Sequence, residues 1–137
     1  MLEKISRNPK RIIFIDMIGA MLSVILLSVV LVQYEAVFKI PKEMLYFLAG
    51  FPMIFIIFHV FSILRRDLKL NRHLKVISIL NISYCLISLV CIFLIMERVS
   101  IFGLMYLILE INIVLILATI EFKVSKKLND QEGQQNA

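Results

Sequence analysis

Four long runs of apolar residues, separated by short polar segments, dominate the hydrophobic pattern of the chain. They cover about residues 12–34, 44–64, 76–96 and 100–120. Each run is about as long as the 20 residues that an α-helix needs to cross the hydrocarbon core of a bilayer. The apolar positions are continuous rather than alternating, which favours helices over the strands of a membrane barrel. The pattern predicts an all-α membrane protein with four transmembrane helices in an antiparallel, up-down bundle.

Composition narrows the class of protein further. Of the 137 residues, 61% are hydrophobic and 18% are charged, whereas soluble domains are usually about 45–50% apolar. Such a chain has too little polar surface to be a soluble enzyme, a disordered chain or a disulfide-rich secreted module. We expect a single four-helix transmembrane domain over residues 1–125 and a disordered polar cytoplasmic tail over 126–137, because almost no apolar residue follows Leu128.

The basic residues are distributed unevenly along the chain, which carries a formal net charge of +5. Twelve of the 15 lie before the first run, between the second and third runs, or after the fourth. Short loops rich in Lys and Arg stay in the cytoplasm, so both termini are expected there. The charge is thus a topology signal, and we expect no nucleic-acid partner. Besides the lipid bilayer itself, the expected partner is anionic lipid, bound by the basic residues Arg65, Arg66, Lys69, Arg72 and Lys75.

Polar residues inside the runs are the candidates for function, because an ionisable group at mid-membrane costs about 2.5–3.5 kcal/mol on insertion scales. With a rise of about 1.5 Å per residue, Asp16, His59 and Asn81 fall in one layer near the cytoplasmic boundary. Glu110 falls near the middle of the fourth run. Pro52 predicts a kink in the second helix, because proline removes a backbone hydrogen bond. The candidate intramembrane polar cluster comprises Asp16, Ser23, His59, Asn81, Tyr84, Tyr106 and Glu110.

The sequence contains no pattern that indicates catalysis. Cys85 and Cys91 are separated by more than a helical turn and do not form a C-x-x-C redox pair. His59 and His73 are too few and too differently placed for a haem pair, and no metal-ligand spacing is present. Nucleophile elbows, phosphate loops and the H-E-x-x-H motif are absent as well. We therefore expect no enzymatic activity, no cofactor and no metal.

Several short segments occur in a fixed order along the chain. They are Asp16-Met-Ile-Gly19-Ala20, then Glu35 with Pro41 and Leu45-Tyr46, then Asn81-Ile-Ser-Tyr84-Cys85, and finally Tyr106-x-x-x-Glu110. Over residues 11 to about 122, the chain resembles a group of small four-span bacterial inner-membrane proteins to which no activity is assigned. The resemblance implies a location in the bacterial inner (cytoplasmic) membrane and a pair of helical hairpins, and it implies no chemistry.

Two hypotheses for function remain open at this point. The first is a non-enzymatic scaffold, accessory or assembly subunit that acts through helix–helix contacts, as a homo-oligomer or with a partner membrane protein. Asn112 and Thr119, which point away from Glu110 on the fourth helix, suggest a second contact surface for it. The alternative is a small oligomeric proton-coupled transporter that uses Glu110, with Asp16 and His59 as a gate or relay. In the first hypothesis Glu110 is a neutral, hydrogen-bonded packing residue.

Overall fold

Four helices account for most of the chain, and each is long and apolar enough to cross a membrane. The computed structural model describes residues 9–64 and 69–135, with all side chains in these ranges except those of residues 9, 132, 133 and 135. This part of the chain is almost entirely helical and contains no strand, which confirms the all-α class. The four helices are α1 (Pro9–Ile25), which continues as a π-helical segment (Leu26–Leu31), α2 (Lys42–Leu64), α3 (Leu70–Ile95) and α4 (Ile101–Gln135).

Local sequence explains where α2 and α4 begin. Pro41 immediately precedes α2, and Glu43 lies in the first turn, beside the positive end of the helix. Ser100 caps α4, because its Oγ accepts a hydrogen bond from the Gly103 backbone N–H at 3.1 Å. The connection between α1 and α2 contains a single helical turn, Glu35–Phe38.

The turn Glu35–Phe38 packs directly on the start of α4. The backbone N–H and the Oγ of Ser100 both donate hydrogen bonds to the Phe38 carbonyl oxygen, at 3.1 and 3.0 Å. A Cβ at Gly103 would lie 2.5 Å from the same oxygen, so this approach requires glycine. Lys39, in a left-handed conformation with φ 53°, follows the turn. We call this end of the bundle, at Phe38 and Gly103, the loop end.

A separate apolar cluster closes the other end of the bundle. Ile12 of α1, Leu74 of α3 and Val124 of α4 form its buried centre. Because α1 begins here and the last turns of α4 lie here, we call it the terminal end. Between the two ends, α3 and α4 pack closely along their length. At one such contact the Ser78 Oγ donates a hydrogen bond to the Ala118 carbonyl at 2.7 Å.

Helix α3 begins at Leu70, earlier than the boundary at residue 76 that the sequence predicts. No proline or glycine interrupts residues 70–75, and the apolar side chains of this stretch pack into the terminal-end cluster. Arg72 and Lys75 are therefore on the first turns of a helix rather than in a loop. Arg65 and Arg66, also predicted to contact anionic lipid, lie outside the described residues.

Helix α4 differs from its prediction at its C-terminal end. The sequence predicts a disordered tail over 126–137, whereas the structure has a helix as far as Gln135. Helix propagation adds a hydrogen bond for each residue fixed, and no helix breaker occurs between Glu121 and Glu132. Leu128 also packs against the terminal-end cluster, which gives this extension a tertiary contact. Residues 136 and 137 lie outside the described residues.

Large apolar side chains cover the outside of the bundle. Phe93 and Leu94 of α3 are 74% and 76% exposed, and Ile57 of α2 is 65% exposed. Soluble monomers rarely expose contiguous apolar patches of more than a few hundred Å². This surface fits lipid surroundings, and the fold is that of a small integral membrane protein in which Asp16, His59 and Glu110 are buried inside the bundle.

Candidate functional site

Two groups of buried polar side chains occupy the interior of the bundle at different heights. The group nearer the terminal end, which we call the terminal network, comprises Asp16, His59, His73, Asn81 and Glu121. The group nearer the middle, which we call the central pair, is Tyr84 with Glu110. All four helices contribute to these two groups, and one cavity connects them.

Asp16 and Asn81 hold the terminal network together. The Asp16 Oδ2 lies 2.5 Å from the His59 Nε2, so the carboxyl group and the imidazole share a hydrogen bond between α1 and α2. The Asn81 Nδ2 donates to the Asp16 Oδ1 at 3.4 Å and to the Glu121 Oε2 at 3.1 Å. One amide on α3 therefore bridges carboxyl groups on α1 and α4. Side-chain hydrogen bonds thus link all four helices through these residues.

His73 extends the terminal network toward its end of the bundle. Its ring stacks on Phe58 with centroids 5.0 Å apart and planes 12° from parallel. The same ring meets His59 edge-on at 5.7 Å. His59 and Glu121 are fully buried. The His59 Nδ1, the His73 Nε2 and the Glu121 Oε1 have no hydrogen-bond partner in the described part of the chain.

The central pair has fewer polar neighbours. The Tyr84 hydroxyl donates to the Glu110 Oε1 at 3.1 Å, and Ser23 lies within hydrogen-bonding reach of the same carboxyl group. Two phenylalanines of α2 surround the tyrosine ring, with centroid distances of 5.8 Å to Phe51 and 6.4 Å to Phe55. Among the described residues, no basic side chain forms an ion pair with Glu110. Glu110 is therefore a buried carboxyl group in largely aromatic and aliphatic surroundings.

A cavity of about 150 Å³ lies between α1 and α4, with α2 and α3 behind it. An engineered cavity of about this size in another protein binds benzene. Leu22 and Leu109 stand on either side of it and are 57% and 61% exposed, so the cavity lies next to the outer apolar surface. Six polar residues contribute to its lining: Asp16, Ser23, Asn81, Tyr84, Tyr106 and Glu110.

A π-helical segment and an internal proline border the cavity. Leu26, at the start of the π-helical segment, is a lining residue of α1. Pro52, which lies inside α2, is a lining residue of the facing wall. Single π-helical turns and internal prolines both interrupt the regular hydrogen bonding of a helix, and π-turns are frequent at functional sites. The kink predicted at Pro52 stays a prediction, although its position at the cavity is clear.

Of the seven residues in the predicted polar cluster, six line the cavity. The exception is His59, which lies behind Asp16 in the terminal network. The predicted common layer of Asp16, His59 and Asn81 corresponds to a set of direct contacts. The seven residues are thus brought together in two connected groups rather than in one.

Sequence reasoning missed Glu121 and His73 as members of the site. Both lie just beyond the edges of the apolar runs, where a polar residue is expected to face water. For Glu121 the sequence contains one indication, because on a helical wheel it shares a face of α4 with Tyr106 and Glu110. For His73 it contains no indication, because the burial of this residue depends on α3 beginning at Leu70.

The other candidates lie apart from the cavity. Cys85 and Cys91 are free and buried, and the Cys85 Sγ contacts the Ile111 carbonyl at 3.7 Å. Asn112 and Thr119 are exposed on α4, as their predicted orientation requires. Within residues 9–64 and 69–135, no group of three or more His, Cys, Asp or Glu residues is arranged to hold a metal ion.

Comparisons with known proteins assign no family to this arrangement. The chain matches no protein-family model, and no curated protein and no solved structure matches it.

Proposed function

We propose that the protein is a small proton-coupled transporter in which Glu110 exchanges a proton for a lipophilic cation within the membrane. One observation supports this most strongly, namely that the carboxyl groups of Glu110 and Asp16 line the same intramembrane cavity. A carboxyl group at this depth costs free energy that an apolar side chain would not. It can, however, bind either a proton or a cation, which an apolar side chain cannot do.

The lining of the cavity indicates the class of substrate. Tyr84, Tyr106 and Phe55 present aromatic rings, and such rings attract cations through their faces. The volume accommodates a group of about the size of a phenyl ring. The position beside the exposed Leu22 and Leu109 favours entry from the bilayer. An aromatic or aliphatic amine, or a small quaternary ammonium ion, has both the apolar body and the charge that this site would bind.

In this proposal the terminal network carries protons to the cavity. His73, His59 and Asp16 follow one another from the terminal end to the cavity wall. Asp16 belongs both to the network and to the lining, so it is the point where the two meet. The irregular backbone at Leu26 and Pro52 would allow α1 and α2 to adjust as the cavity fills and empties.

Orientation and location are part of the same proposal. The basic residues around the terminal end favour a cytoplasmic position for it, with both chain termini inside and the four helices running in alternating directions. The resemblance to small four-span bacterial proteins supports the bacterial inner membrane. The proton path would then begin at the cytoplasmic face.

Reconstituted liposomes provide the test. Uptake of trimethylphenylammonium under an imposed proton gradient is measured together with the internal pH, for the wild type, Glu110→Gln and Glu97→Gln. Glu97 is exposed in the loop between α3 and α4, so its variant controls for the loss of one acid. We expect coupled cation and proton movement in the wild type and in Glu97→Gln, and neither in Glu110→Gln.

Two results would contradict the proposal. One is coupled uptake by Glu110→Gln at the wild-type rate. The other is wild-type uptake no faster than in empty liposomes for trimethylphenylammonium and for a series of smaller lipophilic amines. Circular dichroism of each reconstituted variant checks that the helices are retained, so that a loss of uptake reports on Glu110 itself.

A scaffold or assembly subunit is the second candidate, and exposed polar groups on α4 favour it. The Asn112 Nδ2 donates to the Ile108 carbonyl at 2.7 Å, and the Thr119 Oγ1 donates to the Leu115 carbonyl at 2.8 Å. On a lipid-facing surface, such groups can turn to hydrogen-bond a neighbouring helix. If this face is an interface, Asn112→Leu with Thr119→Val lowers the oligomeric state found by native mass spectrometry, whereas Glu110→Gln leaves it unchanged.

A further inference from the structure

A groove at the terminal end lies between the first turns of α3 and the last part of α4. Its volume is about 500 Å³, more than three times that of the intramembrane cavity. Four basic residues line it: Lys69, which immediately precedes α3, Arg72 and Lys75 of α3, and Lys126 of α4. Phe122, half exposed, supplies an apolar side. The groove is therefore basic and lies where the apolar part of the helices ends.

The charge of this groove is not neutralised by the neighbouring described residues. No Asp or Glu is among the residues that line it. None of its four basic side chains forms a salt bridge with an acid whose side chain the structure describes. Asp130 lies one turn beyond Lys126 on α4 but does not contribute to the lining. The groove thus presents several cations to one volume.

Hydrogen bonds hold the two walls of the groove in place. The Ser125 Oγ, which is buried, donates to the Asn71 carbonyl at 2.6 Å and so joins α4 to α3. The Asn71 side chain accepts from the Arg72 backbone N–H at 2.5 Å and donates to the Asn129 Oδ1 at 3.4 Å. Contacts between α3 and α4 therefore fix the spacing of the cations, and the groove is part of the folded structure.

We propose that this groove binds the phosphate-bearing head group of an anionic membrane lipid. Arg72 can bind two phosphate oxygens at once, and the lysines add point charges around them. The groove also lies at the start of α3, and the positive end of a helix favours anions. Phe122 lies on the side toward the apolar surface, where the acyl chains of a lipid continue into the bilayer. A soluble phosphate would match the cations but leave this apolar side unused.

The inference is independent of the proposed transport. It needs neither Glu110 nor the cavity. It adds Lys126 to the basic residues that the sequence alone would assign to a loop, and it adds Asn71 and Ser125 as the residues that join the two walls. Lys69, Arg72 and Lys75 keep the contact with anionic lipid that the sequence predicts. The fold adds the second wall of the groove, which residues of α4 form.

Native mass spectrometry of the full chain tests the proposal. The protein in detergent is titrated with phosphatidylglycerol, with phosphatidylcholine, and with inorganic phosphate. The groove variant is Arg72→Gln with Lys126→Gln. The matched control is Lys123→Gln with Lys127→Gln, which removes the same charge from the same part of the protein outside the groove. Circular dichroism confirms that both variants keep their helices.

We expect phosphatidylglycerol to bind the wild type and the control in preference to phosphatidylcholine, and its affinity for the groove variant to fall about tenfold or more. Equal losses in the two variants would show a general charge effect and overturn the site. Equal binding of the two lipids would do the same. A third contrary result is that inorganic phosphate displaces phosphatidylglycerol completely at the concentration at which phosphate itself binds, while phosphatidylglycerol binds no better than phosphatidylcholine. In that case free phosphate, and not a lipid, is the ligand, and the proposal fails.

Discussion

The terminal network and the central pair both place carboxyl groups inside the apolar part of the bundle, yet their surroundings differ. In the network, Asp16 contacts an imidazole and an amide, and Glu121 is bound by the same amide. In the central pair, Glu110 has the Tyr84 hydroxyl as its main partner and a cavity beside it. The terminal network joins the four helices, whereas the Glu110 carboxyl group of the central pair lies at the cavity.

The difference separates two uses of polar residues in a membrane. A buried polar network with several mutual hydrogen bonds stabilises one arrangement of the helices, and removing a member leaves others unpaired. A single acid at a cavity contributes little to packing and can change its partner. In the proposed transporter, the network therefore has two tasks, which are to hold the four helices together and to carry protons to Asp16 at the cavity. Glu110 is the acid that would bind the cation.

The largest contrast is expected in chemical labelling. Dicyclohexylcarbodiimide partitions into bilayers and modifies the carboxyl groups that it reaches. We expect Glu110 to be modified, since its cavity lies beside exposed Leu22 and Leu109, and Glu121 to be spared, since it is fully buried. Peptide mass spectrometry after reaction in liposomes measures both sites in one sample. Equal modification of the two acids would remove the distinction between an open site and a closed network.

A smaller but still large contrast is expected in stability. Asp16→Leu leaves the His59 and Asn81 side chains without their shared partner, and breaking such a buried pair costs about 3 kcal/mol or more. Glu110→Leu removes the hydrogen bond from Tyr84 and the contact with Ser23 but leaves an apolar side chain beside the cavity, so we expect a cost of about 1 kcal/mol. Unfolding by sodium dodecyl sulfate in mixed micelles, followed by circular dichroism, measures both. A larger loss for Glu110→Leu would reverse the roles assigned here.

Two lengths, the thickness of the bilayer and the rise per residue of a helix, explain the part of this arrangement that the sequence predicts. Bilayer thickness sets the length of each span, so four apolar runs predict four helices. Rise per residue then places Asp16, His59 and Asn81 at one height, and the fold brings these side chains into contact.

The remainder depends on how side chains from different helices fit together. His73 and Glu121 lie at the edges of the apolar runs, and only the longer helices α3 and α4 bring them inside. The cavity arises where α1 and α4 fail to fill the space between them, and no periodicity of either helix records such a gap. The basic groove likewise needs both walls before Lys126 and Arg72 can be seen as one site.

The smallest expected effect concerns the one direct hydrogen bond of the central pair. Tyr84→Phe removes the hydroxyl that donates to Glu110 but keeps the ring between Phe51 and Phe55. Hydrogen bonds between transmembrane helices average about 0.6 kcal/mol, so we expect a loss of that order in the same unfolding assay. Transport should change more than stability, because the Glu110 carboxyl group would lose the donor that orients it toward the cavity. If Tyr84→Phe instead unfolded the protein as readily as Asp16→Leu, the central pair would be as structural as the network, and the case for a free acid at the cavity would fail.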